Sequence, residues 1–477
     1  MSVLQSGSIE NSSSHDTGDG HSADDRRNPF SRKIKSILRS FNGDDEASIL
    51  KRKAINSFAI RIVSAGIIYL MQIALARMAG AEQYGIFALV WVWTTLLGSV
   101  TCLGFNTSIV RFLPRYLNRG SYALARGFVR FGFWISFCGS TLIASLGILG
   151  LYFFGDHVTT YYVIPFYLAF VCLPIVALGE IEENIAISRS WINLALVPSF
   201  IMRPFIIFIA TGTLWFYGMD MTASVIMACA IGACWIIYVG QVVSVRFSLR
   251  KELPTGKCKY LAKPWISISA PLFVADSFYI LSTNADILIL GLLLGPGEVA
   301  IYYAAIKTLA MVSYFHFAVA SVSARPFADL FARKAPVSEL NTLYARSVKM
   351  IFFPALATTA FMLLIGPYVL ELFGDGFAEG YPLMAIIACG LVIQAAAGPM
   401  QYVLTMAGKE RFAARASILS LGINVSLNFI LIPIYGLPGA AVATAISMAG
   451  QSLYMLFIAH RELGLKPFPL FRSTSTS

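Results

Sequence analysis

From residue 55 to residue 459 the chain is written in apolar runs of about 20 residues or more, broken by short polar interruptions. A helix rising about 1.5 Å per residue crosses roughly 30 Å of hydrocarbon in about 20 residues, so each run predicts a crossing. Twelve are expected, at 55–78, 85–105, 128–154, 158–178, 191–215, 222–245, 265–294, 298–322, 348–373, 381–407, 412–434 and 437–459. Short segments of strict alternation, the mark of a membrane barrel, do not occur, which leaves helices as the spanning element.

The pattern also repeats. The phrase LARMAGAEQYG at 75–85 returns in looser form as LGLLLGPGEVA at 290–300, an offset of 215 that pairs Gly80 with Gly295, Gly85 with Ala300 and Phe87 with Tyr302. A second echo matches Tyr217-Gly218 with Tyr435-Gly436, at an offset only three residues longer. Six crossings per copy give both copies the same orientation, so the repeats are parallel and related by an axis along the membrane normal. The expected fold is an all-α integral membrane protein, with twelve transmembrane helices in two pseudo-symmetric six-helix bundles around a central cavity. Its parts are a disordered and basic tail (1–50), a first bundle (51–250), a second bundle (251–462) and a short tail (463–477).

Composition agrees with this reading. Of 477 residues, 57% are hydrophobic and 13% charged, and the mean hydropathy is +0.70, too apolar for a soluble chain of this length. The net charge of +11 invites a nucleic-acid reading until the cations are sorted by position. Counting Lys349 and Arg415, at the ends of their runs, with the adjoining loops, thirty-one of the 36 Lys and Arg fall in the two tails and in every second loop, and the alternate loops hold none. That is the positive-inside pattern with both termini cytoplasmic, so the charge reports topology and not nucleic acid. Residues 1–28 are rich in Ser, Asp and Gly and read as disordered. Residues 30–39 suit either a helix lying on an anionic leaflet or a basic anchor.

No loop exceeds about 25 residues, which leaves no room for a soluble catalytic domain, and the phosphate-binding GxxxxGK[ST] of a nucleotide-driven pump is absent. Neither an enzyme nor a cofactor is expected. Six of the seven cysteines lie within spans, Cys258 lies in a cytoplasmic loop, and no CxxC or histidine cluster suggests a metal.

Three stretches carry a family resemblance: LARMAGAEQYGIFAL (75–89), NADILILGLLLGPGEVAIYYAAIK (284–307) and YGLPGAAVATAIS (435–447). Together, in this order, they resemble polysaccharide transporters, the O-antigen-type flippases of the multidrug/oligosaccharidyl-lipid/polysaccharide (MOP) superfamily, over about residues 50–460. Met78-Ala79 and Gly297 depart from the usual pattern. The resemblance implies a flippase that carries polyprenyl-pyrophosphate-linked oligosaccharide units from the cytoplasmic to the outer leaflet of the bacterial cytoplasmic membrane, for surface polysaccharide biosynthesis. It would act as a monomer among membrane lipids, alongside other polysaccharide assembly proteins. The alternative is a cation-coupled exporter of drugs or small solutes from the same superfamily.

Such a cargo needs cations, hydroxyls and aromatic rings in the cavity. A basic side chain at mid-bilayer costs roughly 2.5–3.5 kcal/mol on insertion scales, which makes it a functional candidate. Arg203 lies 12 residues from both Trp191 and Trp215, flanked by Pro198 and Pro204, whose bend would expose carbonyls; it either holds substrate phosphate or pairs with a buried acid. Lys307 shares a helical face with Tyr303 and Tyr314, a stripe fit for sugars. Arg61 is closer to the cytoplasmic end. Asp276, Tyr279, Thr283 and Asp286 fall within roughly 80° of arc. Asp276 and Asp286, with Asn284, either bind a coupling ion, H⁺ or Na⁺, or neutralise Lys307 and Arg203. Arg77 beside Glu82 at the outer end of the first span reads as a gate or interfacial pair.

Overall fold

The structure, a computed structural model, describes residues 46–157 and 159–467. The readings for 1–28 and 30–39, and most of the 463–477 tail, concern residues outside that set. Met1–Asn56 and Ser57–Ser477 form separate units, and the second holds the fold. In chain order the helices are α1 (Glu46–Thr101), α2 (Phe105–Asn118), α3 (Tyr122–Phe154), α4 (Thr160–Ser188), α5 (Ile192–Val197), α6 (Arg203–Phe216), α7 (Ala223–Glu252), α8 (Ala262–Leu293), α9 (Pro296–Ala332), α10 (Val337–Glu371), α11 (Tyr381–Ala397), α12 (Met400–Met406), α13 (Glu410–Tyr435) and α14 (Leu437–Leu463). Ten helical stretches of the described residues are long and apolar enough to cross a membrane. Their outward faces carry large apolar side chains, with Leu142, Leu146, Leu149, Phe153 and Phe154 of α3 each more than half exposed. In water such a belt would be an aggregation surface, and in lipid it is the solvated face.

The first of the ten, Ala59–Thr101, runs for 43 residues, about 64 Å if straight, twice the thickness of the hydrocarbon. It is not straight. Gly80 interrupts it at φ 76°, ψ 167°, a conformation that side chains with a Cβ avoid. Tyr84, four residues past the break, donates a 2.6 Å hydrogen bond to Gln72, eight residues before it. The chain therefore folds back at Gly80, and α1 is two arms, 57–79 and 81–101. The expected loop at 79–84 is absent because residues 81–84 are already helical. The 37-residue α9, which the sequence also predicts to cross, is not counted among those ten.

The repeated phrases touch one another. A Cβ on Gly85 would stand 1.8 Å from the Pro296 carbonyl oxygen and 3.2 Å from the Ala300 nitrogen, and one on Gly291 would stand 2.4 Å from a Leu89 methyl. Gly85 and Ala300 are partners under the 215-residue offset, and matched positions meet only beside the axis that relates them. The copies are not identical in detail. Gly80 turns the chain with a positive φ, whereas Gly295 is extended (φ −79°, ψ 168°) and hands over to Pro296 at the first turn of α9, where a proline loses no helical hydrogen bond. In the second echo Gly218 (φ 79°) and Gly436 (φ 61°) both take positive φ.

Around this crossing lies the largest buried apolar cluster, drawn from both arms of α1, the end of α8, the start of α9, and α10 and α11. Gly85→Ala should therefore destabilise the fold by about 1–3 kcal/mol, the usual cost of overpacking, and lower the melting temperature of the detergent-solubilised protein. Gly150→Ala, with nothing within 4 Å of the added methyl, should leave it unchanged.

Candidate functional site

Where the two repeats meet, aromatic rings close the molecule. Tyr84 of the second arm of α1 sits edge-on to Tyr303 of α9, centroids 6.2 Å apart. It is also 6.4 Å from Phe373 and 6.2 Å from Phe377, and Tyr69 of the first arm meets Phe373 edge-on at 5.6 Å. These are ordinary attractive ring geometries. Hydroxyls pin them: Tyr69 shares a 2.7 Å hydrogen bond with Thr308 of α9. Tyr303, expected to meet sugars, is only 4% exposed, because it is part of this seal. Lys307, one turn further along α9, holds its ammonium 4.8 Å from the centre of the Tyr303 ring, a cation–π contact. Tyr314 lies on the same helix, and its side chain is outside the described residues.

Arg77 is on the same end of the molecule, but its partner is not Glu82. Its guanidinium donates to the carbonyls of Leu372 (2.7 Å) and Glu371 (3.1 Å) at the close of α10, while Glu82 is exposed. A cation on the free carbonyls of a helix C-terminus satisfies acceptors that have no intrahelical donor. The contact joins the first repeat to the second.

Arg203 lies in a different environment, on the first repeat. The helix carrying it winds through a π-turn at Pro198–Met202, and the Arg203 backbone N–H bonds to the Pro198 carbonyl. That carbonyl is used internally and not offered to a ligand. The guanidinium donates to the Tyr238 hydroxyl at 2.5 Å and lies 5.3 Å from the Trp91 ring. The acid it feels is one the sequence reading passed over. Glu183 lies within electrostatic reach of both Arg203 and Arg61 and accepts a 2.8 Å hydrogen bond from Ser199. Arg61 also stands 5.9 Å from the Phe200 ring. The expectation that Asp276 or Asp286 neutralises Arg203 or Lys307 fails. Asp276 accepts from Thr107 at 2.5 Å. Asp286 accepts from Tyr302 (2.8 Å), Thr444 (3.3 Å) and the Ile287 N–H (2.9 Å).

Those partners also divide the predicted stripe on α8. Its first half is tied to α2, through Thr107–Asp276 and a 2.9 Å bond from Ser269 to Ser108. Its last turns are tied to α9 and α14 through Asp286. Between them Tyr279 and Thr283 are exposed. Asn284 bonds back to Ile280 (2.9 Å) and Thr283 (3.0 Å) of its own helix and shares no partner with either aspartate. Further along the second repeat, Asn428 donates to Asn424 at 3.0 Å.

Three glutamates in GEIEEN were missed because the fourth span was expected to end at residue 178, whereas α4 continues to Ser188. Glu180 accepts from Asn106 at 3.1 Å, and Glu182, wholly buried, takes both the Nε (2.8 Å) and an Nη (2.5 Å) of Arg246 on its Oε1. The legible signal was the spacing, since residues 180 and 183 share a helical face while 182 points elsewhere. Among the described residues no group of His, Cys, Asp and Glu could hold a metal ion.

Helices of this length and composition, meeting at a close crossing between the repeats and carrying half-buried cations and the buried acids Glu182 and Asp286, are those of a membrane transporter. In fold the chain is similar to a multidrug resistance MATE family transporter of the MOP superfamily in its inward-facing conformation (TM-score 0.69, 13% identity, covering 85% of this chain and 98% of that one). It is also similar to the lipid II flippase MurJ in an inward closed conformation (TM-score 0.66, 16% identity, 84% and 87%). The sequence profile of the polysaccharide biosynthesis protein family matches residues 50–327, more than half of the chain, and the chain belongs to that family. Among curated proteins it is 23% identical over 412 residues to the probable low-salt glycan biosynthesis flippase Agl15 of Haloferax volcanii, covering 84% of this chain and 81% of the relative. It is 26% identical over 210 residues to the uncharacterized membrane protein YabM of Bacillus subtilis, covering 42% and 39%.

The Glu182–Arg246 pair makes a stability prediction. Glu182 is wholly buried and Arg246 about one-third exposed, so removing the arginine strands a buried carboxylate at a cost that solvent screening holds toward the low side of the roughly 3–5 kcal/mol of a fully buried pair, while replacing both with apolar residues of similar size is often neutral. Arg246→Met should lower the melting temperature sharply, and adding Glu182→Met should restore most of the loss.

Proposed function

We propose that this chain is a flippase for lipid-linked oligosaccharides, carrying polyprenyl-pyrophosphate-linked repeat units from the cytoplasmic to the outer leaflet by alternating access. The observation that carries the proposal is the aromatic seal with Lys307 beneath it: a closure drawn from both repeats, with a cation on its inner side. In this reading the end lined by the basic loops is cytoplasmic, both termini lie there, and the seal faces outward. The helices then make twelve crossings, with α1 supplying two and α9 one beyond the nine remaining helical stretches, arranged as bundles of six at 51–250 and 251–462. The membrane is the bacterial cytoplasmic membrane, and one chain suffices because the cavity forms within it. The chain transports and carries out no covalent chemistry.

Within that cavity Lys307, Arg203 and Arg61 would meet the pyrophosphate, as the cargo passes a loosened Tyr303. Arg77 on the carbonyls of Glu371 and Leu372 serves as the outermost latch. Asp286, held by Tyr302 and Thr444, is the ion-coupling candidate, for H⁺ or Na⁺, because a carboxylate with hydroxyl partners offers oxygen ligands to a hard cation. The relatives described as flippases, Agl15 and MurJ, support the cargo class. A second reading, export of cationic small solutes, draws on the carboxylates Glu180 and Glu183 of the first repeat, on Asp276 of α8, and on the likeness to a multidrug transporter.

Transport should distinguish the two. In cells lacking this protein, lipid-linked oligosaccharide should accumulate in the inner leaflet. Wild type should clear it, whereas Arg203→Ala and Lys307→Ala, expressed at wild-type level, should slow clearance at least about tenfold, as expected for loss of a charge-assisted phosphate contact. Wild-type clearance by both variants would remove the cationic site from the mechanism, and an absence of accumulation would favour the exporter. Asp286→Asn should abolish the dependence of transport on the Na⁺ or H⁺ gradient while leaving folding intact; an unchanged gradient dependence would reassign the coupling.

A further inference from the structure

A second cationic site lies outside the cavity, on the flank of the first repeat. α3 and α7 both pack on α4, and at their basic ends a cavity of about 420 Å³ opens between them, within the ~300–1,000 Å³ range of small-ligand sites. On α3 the lining residues Arg126, Arg130, Phe133 and Trp134 follow helical spacing and share one face. Arg246 and Arg250 of α7 stand opposite. Two of these four arginines build the walls. Arg126 clamps the 254–257 segment, donating to the carbonyls of Pro254 (2.7 Å) and Lys257 (3.1 and 2.9 Å). Arg246 is held by Glu182 and lies 5.2 Å from the Phe133 ring. The other two, Arg130 and Arg250, are exposed and have no hydrogen-bond or ion-pair partner among the described residues.

The depth profile is that of a lipid. Arg250 lies two residues from the end of α7 and Arg130 eight from the start of α3, about 3 and 12 Å along their helices, the level of phosphate and glycerol. Phe133 and Trp134 come about 17–18 Å in, where acyl chains begin, and Trp134 is half exposed. With four guanidinium groups against one carboxylate, the site selects for negative charge, and Arg forks match phosphate oxygens. The apolar floor excludes a bare anion as the best occupant. We propose that this groove binds an anionic phospholipid, its phosphate between Arg130 and Arg250 and its first acyl carbons against Phe133 and Trp134. The site depends on the membrane setting of the fold and not on which cargo the cavity carries.

The test is native mass spectrometry of the full chain in mild detergent, titrated with phosphatidylglycerol or with phosphatidylcholine of the same chains. Wild type should retain phosphatidylglycerol at a site that does not take phosphatidylcholine. Arg130→Gln/Arg250→Gln should weaken it roughly thirtyfold, since each cation near the lipid surface contributes about a factor of five. Arg111→Gln/Arg115→Gln, which removes two exposed cations of α2, should leave retention unchanged. Equal retention of phosphatidylglycerol by the groove variant would overturn the site, and equal retention of phosphatidylcholine would overturn its charge selectivity. Displacement of the lipid by millimolar inorganic phosphate or pyrophosphate would show an anion site and overturn the lipid assignment.

Discussion

Everything at the sealed end follows from one steric fact: at Gly85 there is no room for a side chain. The second arm of α1 rests on the backbone of Pro296 and Ala300, and helices without a bulk hydrophobic drive toward each other in lipid rely on such backbone approach. Because the approach is close, Tyr84 reaches Tyr303, Phe373 and Phe377, and Tyr69 reaches Thr308. Were the arms a methyl group further apart, the rings would stand outside their attractive distance and the cluster would admit water. The seal is thus a consequence of two small residues, and its strength comes from the aromatic area that they allow to meet.

Much of this was legible because membranes simplify the code. The apolar runs gave the helices, since their length and composition are set by bulk lipid and not by particular neighbours. The repeat was legible as a repeat. That its copies touch was not, because sequence offset says nothing about distance from an axis. Side-chain partnerships were the least visible. Arg203 was singled out as an awkward charge, yet Glu183 was hidden in a polar segment beyond the expected end of the fourth span at residue 178. Asp276 and Asp286 share a helical face on paper, but α8 carries the first to Thr107 and the second to Thr444. Arg77 had a carboxylate five residues away and took backbone carbonyls nearly 300 positions distant instead.

The charges fall into two economies. In the first repeat cations meet acids and rings at close quarters: Arg246 with Glu182, Arg203 with Tyr238, Trp91 and the nearby Glu183. In the second, Lys307 faces a ring and no carboxylate among the described residues, while Asp286 is held by two hydroxyls and a backbone N–H. A buried charge matched only by neutral groups is held less firmly than one matched by an opposite charge. The second repeat therefore has the groups more responsive to an arriving ion, and the first has the groups more resistant to it.

α8 belongs to both economies. Mechanically it is a beam clamped at each end to a different support, with Trp265 on Tyr116 and Asp276 on Thr107 at one end, and Asp286 on Tyr302 and Thr444 at the other. Between the clamps, 277–285 runs for about 14 Å with Tyr279 and Thr283 exposed, while Ile280 packs on the main apolar cluster, Ala285 is buried and α8 lies along α13. Relative movement of the two supports would therefore shear α8 along its packed length, so the packing between the clamps and the hydrogen bonds at them resist the movement together.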